Sequence, residues 1–119
     1  MSIQSYKDLV VWQKSFKVAT QIYKITQKMP KEEIYGLTSQ MRRAAVSIPS
    51  NIAEGYSRHS VGAYRQFLLI SLGSKSELET QLLLCKEIGY LHEKDINLVF
   101  SLLNEVGKML NSIIKKLEP

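Results

Sequence analysis

Apolar residues return at spacings of three and four along four successive stretches of this chain, and no stretch alternates with period two for more than a few residues. That spacing places side chains on one face of a 3.6-residue helix, so the pattern predicts four amphipathic helices and no sheet. Only short polar turns separate the stretches, and short turns join antiparallel neighbours. The expected fold is all-α, an antiparallel up-and-down four-helix bundle.

The first stretch runs from Leu9 to Met29 and carries Leu9, Trp12, Phe16, Ala19 and Tyr23 in register. Ser5 followed by Asp8 fits a capping box, and Pro30 stops the helix because the residue before a proline is pushed out of helical space. After Lys31-Glu32-Glu33, the second stretch carries Leu37, Met41, Ala44, Ala45, Ile48 and Ile52 up to Gly55. Pro49 stands inside it. An interior proline removes a backbone hydrogen bond and costs about 3 kcal/mol, which leaves either one kinked helix or two shorter ones. One kinked helix is the expectation.

The third stretch runs from Ser60, a candidate N-cap, to near Gly89, with Tyr64, Phe67, Leu68, Ser71, Leu78, Leu82 and Cys85 on its face. Ile70, Gly73 and Leu84 form a second stripe, widened by Leu69, Leu72 and Leu83, and that is more apolar surface than one monomeric core requires. The fourth stretch, Lys94 to Leu117, repeats Ile96, Val99, Leu103, Val106, Leu110, Ile113 and Leu117 at heptad-like spacing.

A length of 119 residues with 45% hydrophobic content, and no low-complexity tract, fits a single domain over 1–119. Cys85 is the only cysteine, so no intrachain disulfide and no thiolate cluster for zinc or iron can form, which suits a reducing compartment. Apolar runs such as Phe67 to Ile70 reach four residues, far short of the roughly 20 that cross a bilayer. No signal peptide is evident at the start. A cytoplasmic location and no membrane partner are expected.

Charge is unevenly placed. Residues 1–31 hold six lysines, Lys7, Lys14, Lys17, Lys24, Lys28 and Lys31, against the single acid Asp8, which already accounts for the +5 of the whole chain. At 100° per residue these lysines fall within an arc of about 120°, opposite Trp12, Phe16 and Tyr23. A solubilising face usually intersperses glutamate for i,i+4 pairs, and this helix does not. Two readings stand: a solvated face, or contact with phosphates by counterion release. No second short recognition helix, zinc finger or aromatic sheet platform accompanies the stripe, so base-specific readout is not expected.

Catalytic constellations are lacking. His59 and His92 are the only histidines, and neither has a carboxylate or cysteine at a metal-ligand or nucleophile–base spacing; both read as surface turn residues. Glu77 and Glu79 point in different directions on a helix, and there is no glycine-rich phosphate loop. No enzyme activity, cofactor or metal is expected.

The segment from Leu37 through Arg42-Arg43-Ala44-Ala45-Val46-Ser47-Ile48-Pro49-Ser50-Asn51-Ile52-Ala53-Glu54-Gly55 closely resembles the 23S rRNA intervening-sequence proteins, a four-helix-bundle family. Supporting matches lie in Ser5-Tyr6-Lys7-Asp8-Leu9, in Val11-Trp12-Gln13-Lys14, and in Leu72-Gly73-Ser74 with Glu77 to Leu82. The resemblance implies a barrel-like homopentamer, which would occupy the surplus apolar stripes of the third helix. More distantly the chain is similar to the accessory protein of diversity-generating retroelements, which pairs with a reverse transcriptase and presents a basic surface to nucleic acid. Arg42, Arg43, Asn51, Glu54 and Glu77 match polar positions of the family pattern. Asn51, Glu54 and Arg58 share a helix face and could join Arg42 or Arg43 in a network, either bracing Pro49 or a subunit contact, or touching a ligand.

The leading expectation is a non-catalytic, oligomeric protein that holds RNA or DNA backbones with the six lysines and with Arg42, Arg43 and Arg65, alone or alongside a nucleic-acid-processing protein. The alternative is a protein–protein adaptor or scaffold with no nucleic-acid contact.

Overall fold

The computed structural model describes residues 3–118; the remaining three residues of the single domain expected over 1–119 lie outside the described residues. Four long helices, α1 (Val10–Ile25), α2 (Leu37–Ser57), α3 (Val61–Glu87) and α4 (Glu93–Lys116), are joined by short turns, and no strand occurs among the described residues. Each helix packs on its chain neighbours and α4 returns to α1, so α1 lies diagonally across the bundle from α3 and α2 from α4. The molecule measures 44 × 25 × 22 Å.

The capping box at Ser5 forms, but it caps a 3-10 turn. The Lys7 amide donates to Ser5 Oγ at 3.1 Å and the Ser5 amide to Asp8 Oδ2 at 3.2 Å, closing the turn Tyr6–Asp8. Leu9 is then extended and α1 starts one residue later. At its other end α1 tightens into the 3-10 turn Thr26–Lys28, and Met29 is extended before Pro30, as a residue preceding proline must be. A further 3-10 turn, Lys31–Glu33, leads into α2. Pro49 interrupts nothing: α2 is one helix through it.

One core fills the bundle, with Ile22, Met41, Ile48, Leu68, Leu82 and Leu103 among its fully buried members. The faces of α2 and α4 are those that the spacing predicts. The inward face of α1 is not. Val11, Val18, Ile22 and Ile25 with Ser15 point into the core, whereas Phe16 and Tyr23 are 50% and 46% exposed. Two apolar stripes at helical spacing share α1, roughly 100° apart; the aliphatic one packs into the closed interior and the bulkier aromatic one lies along the edge facing α2.

The α2–α3 seam is lined by small and polar residues. A Cβ added at Gly55 would lie 2.7 Å from Phe67 Cβ, so the absent side chain is what lets the two backbones approach. Further along, Ser71 Oγ donates to the Ile48 carbonyl at 2.9 Å, and the Ser47 and Ser74 hydroxyls meet at 2.8 Å. Asn51 Nδ2 donates to the Ser47 carbonyl and hydroxyl at 2.8 and 2.9 Å.

Outward, α3 exposes Leu69, Ile70, Leu83 and Leu84, each 37–53% open to solvent. The α3–α4 turn reverses at Gly89, whose φ of +87° lies in the left-handed region, and the Tyr90 and Leu91 amides both donate back to the Cys85 carbonyl. No helix among the described residues is long and apolar enough to cross a membrane.

Candidate nucleic-acid interface

Four of the six N-terminal lysines stand exposed with no carboxylate within ion-pair distance among the described residues: Lys7, Lys17, Lys24 and Lys31. The other two are spent on the fold. Lys14 Nζ lies 2.6 Å from Glu105 Oε2, and Lys28 Nζ 2.6 Å from Asp95 Oδ1, so both close the seam between α1 and α4. The Lys28 ammonium, together with the His92 amide that donates to the other carboxylate oxygen at 2.8 Å, holds the Asp95 carboxyl below its usual range. Helix α4 adds one cation that the sequence reading passed over: Lys108 is exposed and lines an apolar groove against Leu9 and Val10. Its charge was masked by the balance of acids and bases over residues 32–119.

Of the arginines only Arg42 approaches one of these lysines, sharing a hollow with Lys31. Arg42 lies on the other edge of α1, its guanidinium 4.8 Å from the centre of the Tyr23 ring and its Nε donating to Thr26 Oγ1 at 2.9 Å. Arg43 is its exposed neighbour on α2. Arg65 sits on the diagonal helix α3, half-buried, with Nη2 3.6 Å from Glu118 Oε1. Of the network expected to join Asn51, Glu54 and Arg58 with Arg42 or Arg43, the Glu54–Arg58 pair forms and the link to Arg42 or Arg43 does not; Glu77 lies apart from it on α3. Asn51 turns to Ser47, Glu54 pairs with Arg58 at 2.8 Å, and Glu77 accepts from Gln81 on α3.

Between α1 and α2 a groove carries Arg42 and Arg43 at one end and aromatic rings at the other. Its arginine end, about 630 Å³, is lined by Tyr23, Ser39, Arg42, Arg43, Ser50 and Asn51 among others. Its aromatic end, about 260 Å³, is lined by Tyr6, Trp12, Phe16 and Pro49, and the two ends share Val46 and Ser50. Trp12 packs edge-on to Tyr6 at 5.3 Å and tilted against Phe16 at 5.0 Å. Among the described residues no carboxylate lines either end.

The model of the 23S rRNA-intervening sequence protein family matches residues 7–112, which takes in α1, α2 and α3 and all but the last four residues of α4. The chain belongs to that family. A protein of unknown function from the S23 ribosomal protein family of Bacteroides thetaiotaomicron has a solved structure that superposes with a TM-score of 0.82 at 27% identity, covering 89% of this chain and 99% of that one. No curated protein matches the chain. Within this family fold, the motif from Leu37 to Gly55 makes up all but the last two residues of α2: Gly55 and Ser47 make the seam with α3, while Arg42 and Arg43 face the groove beside α1.

His59 and His92 both lie exposed in turns, His59 with a φ of +58°. Among the described residues no three His, Cys, Asp or Glu side chains gather as a metal site. Cys85 is fully buried against the sulfurs of Met29 and Met41, at 3.9 and 3.8 Å, and burial, reinforced by Glu33, pushes its thiol up to about 11.

Proposed function

We propose that this intervening-sequence protein is a non-catalytic, cytoplasmic, oligomeric binder of nucleic-acid backbones. The observation that carries the reading is a run of exposed lysines along α1 and its flanking turns: Lys17 and Lys24 on α1, Lys7 in the turn before it and Lys31 in the turn after it have no carboxylate within ion-pair distance among the described residues, and Lys108 on α4 adds a further exposed cation beside Leu9 and Val10. Lysines held this way exchange condensed counterions for protein charge, which favours any phosphate backbone without reading its bases. The description of the family, tied to an intervening sequence of 23S rRNA, supports RNA as one such polyanion. A homopentamer accounts for the apolar outer face of α3, where Leu69, Ile70, Leu83 and Leu84 have no covering element. Repetition of the lysine face in such an assembly gives multivalent contact from weak single sites.

The test is binding to labelled RNA and DNA over a salt series, with the oligomer mass measured in the same buffer. Several phosphates neutralised per assembly give a loss of about 10³-fold between 50 and 200 mM salt. Reversal of Lys7, Lys17, Lys24 and Lys31 to glutamate should abolish binding. Absence of binding at low salt would leave the second reading, a protein adaptor, which is favoured by the tip between α1 and α2, where Tyr35 is 95% exposed beside Ile34.

A further inference from the structure

We infer that the groove between α1 and α2 is a seat for single-stranded nucleic acid, distinct from the lysine face; this rests on the proposal that the protein binds nucleic acid. Charge selects the class of occupant. Two arginines line the groove with no carboxylate among the described residues. Arg42 is also pre-positioned: Tyr23 supports one face of its guanidinium and Thr26 takes its Nε–H, which leaves the two terminal nitrogens for an incoming anion.

The rings select the single strand. Phe16 and Tyr23 are half-exposed on the same edge of α1, seven residues or about 10.5 Å apart, roughly three base-stacking steps. A duplex presents phosphate and sugar outward and has no use for such rings, whereas an unpaired base stacks on an aromatic face whatever its identity. An aromatic half beside an arginine half therefore matches a short strand whose bases lie on Phe16 and whose phosphates reach Arg42 and Arg43. Ser50, which lines both ends, offers a hydroxyl between them.

Trp12 is the only tryptophan and lines the groove in contact with Phe16, so its emission reports occupancy in the unmodified protein. The experiment titrates the protein with a 12-nucleotide single strand and with a duplex of equal length, following Trp12 fluorescence and fluorescence anisotropy of the labelled oligonucleotide. The single strand should change Trp12 emission and the duplex should not. Phe16→Ala, and separately Arg43→Glu at an exposed position that the fold does not need, should each weaken single-strand binding about ten-fold and leave duplex binding within two-fold. The variant Lys17→Glu/Lys24→Glu should weaken both ligands alike. If the unmodified protein binds single strand but both groove variants bind it as well as before, the groove is not the seat while the lysine reading survives. If the variants instead change the oligomer mass and leave binding untouched, a second copy of the chain occupies the groove. If neither ligand binds at low salt, the nucleic-acid reading itself fails.

Discussion

Ser71 on α3 donates its hydroxyl to the carbonyl of Ile48 on α2, 2.9 Å away and one residue before Pro49. Ser71 is fully buried, so its hydroxyl has no water to turn to, and the bond ties α3 to α2 just where α2 carries its proline. Ser71→Ala should lower stability by about 1 kcal/mol, read as a lower urea midpoint at unchanged slope. A variant as stable as the parent would show that the proline turn needs no brace from α3.

Gly55→Ala sets two effects of opposite sign against each other. Alanine in a helix is favoured over glycine by about 1 kcal/mol. Its Cβ, however, would stand 2.7 Å from Phe67 Cβ and 3.3 Å from the Tyr64 carbonyl oxygen, and pushing packed helices apart costs about 1–3 kcal/mol. The expected net result is destabilisation and a lower melting temperature. A raised melting temperature would mean that α3 shifts freely and the seam is not tight.

Cys85 should be inert in the folded state. With its thiol pushed up to about 11 by burial and Glu33, the thiolate fraction at neutral pH is about 100-fold below that of a thiol at 9, before access is counted. Alkylation by iodoacetamide should proceed only through opening of the bundle and accelerate steeply in denaturant. Prompt stoichiometric labelling of native protein would contradict the buried placement.

Asp95 links stability to acid. Its carboxyl titrates below its ordinary 3.8, chiefly because of Lys28 and then the His92 amide, so the charged form stabilises the fold above that value and the gain disappears as pH falls through the lowered one. Asp95→Asn retains an acceptor for the His92 amide and removes only the charge. The urea midpoints of parent and variant should differ at pH 7 and converge once acid has protonated Asp95; a difference that persists in acid would point to packing and not to the ion pair.

The four helices and the faces of α2 and α4 were legible because single aliphatic stripes leave one way to bury them. Helix α1 was not, since Trp12, Phe16 and Tyr23 keep the same spacing as Val11, Val18 and Ile22 and outweigh them in size. Periodicity says that a stripe exists; competition between stripes is settled by which fits the closed interior. The same limit applies to charge. Counting six lysines on one arc could not reveal that Glu105 and Asp95, about 70 to 90 residues away, would claim two of them, nor that Tyr23 and Thr26 would draw Arg42 to the opposite edge. Long-range pairing of this kind leaves no local trace.

The Lys14–Glu105 and Lys28–Asp95 pairs fasten the first helix to the fourth, contacts that span most of the polypeptide, while α2 and α3 are joined through a turn of only a few residues. Closing the longer span carries the greater entropy cost. During refolding the middle hairpin can therefore assemble first, and the outer pair of helices docks on it. Run in reverse, amide exchange should reach α1 through transient release of that last-formed seam before it reaches α2 and α3.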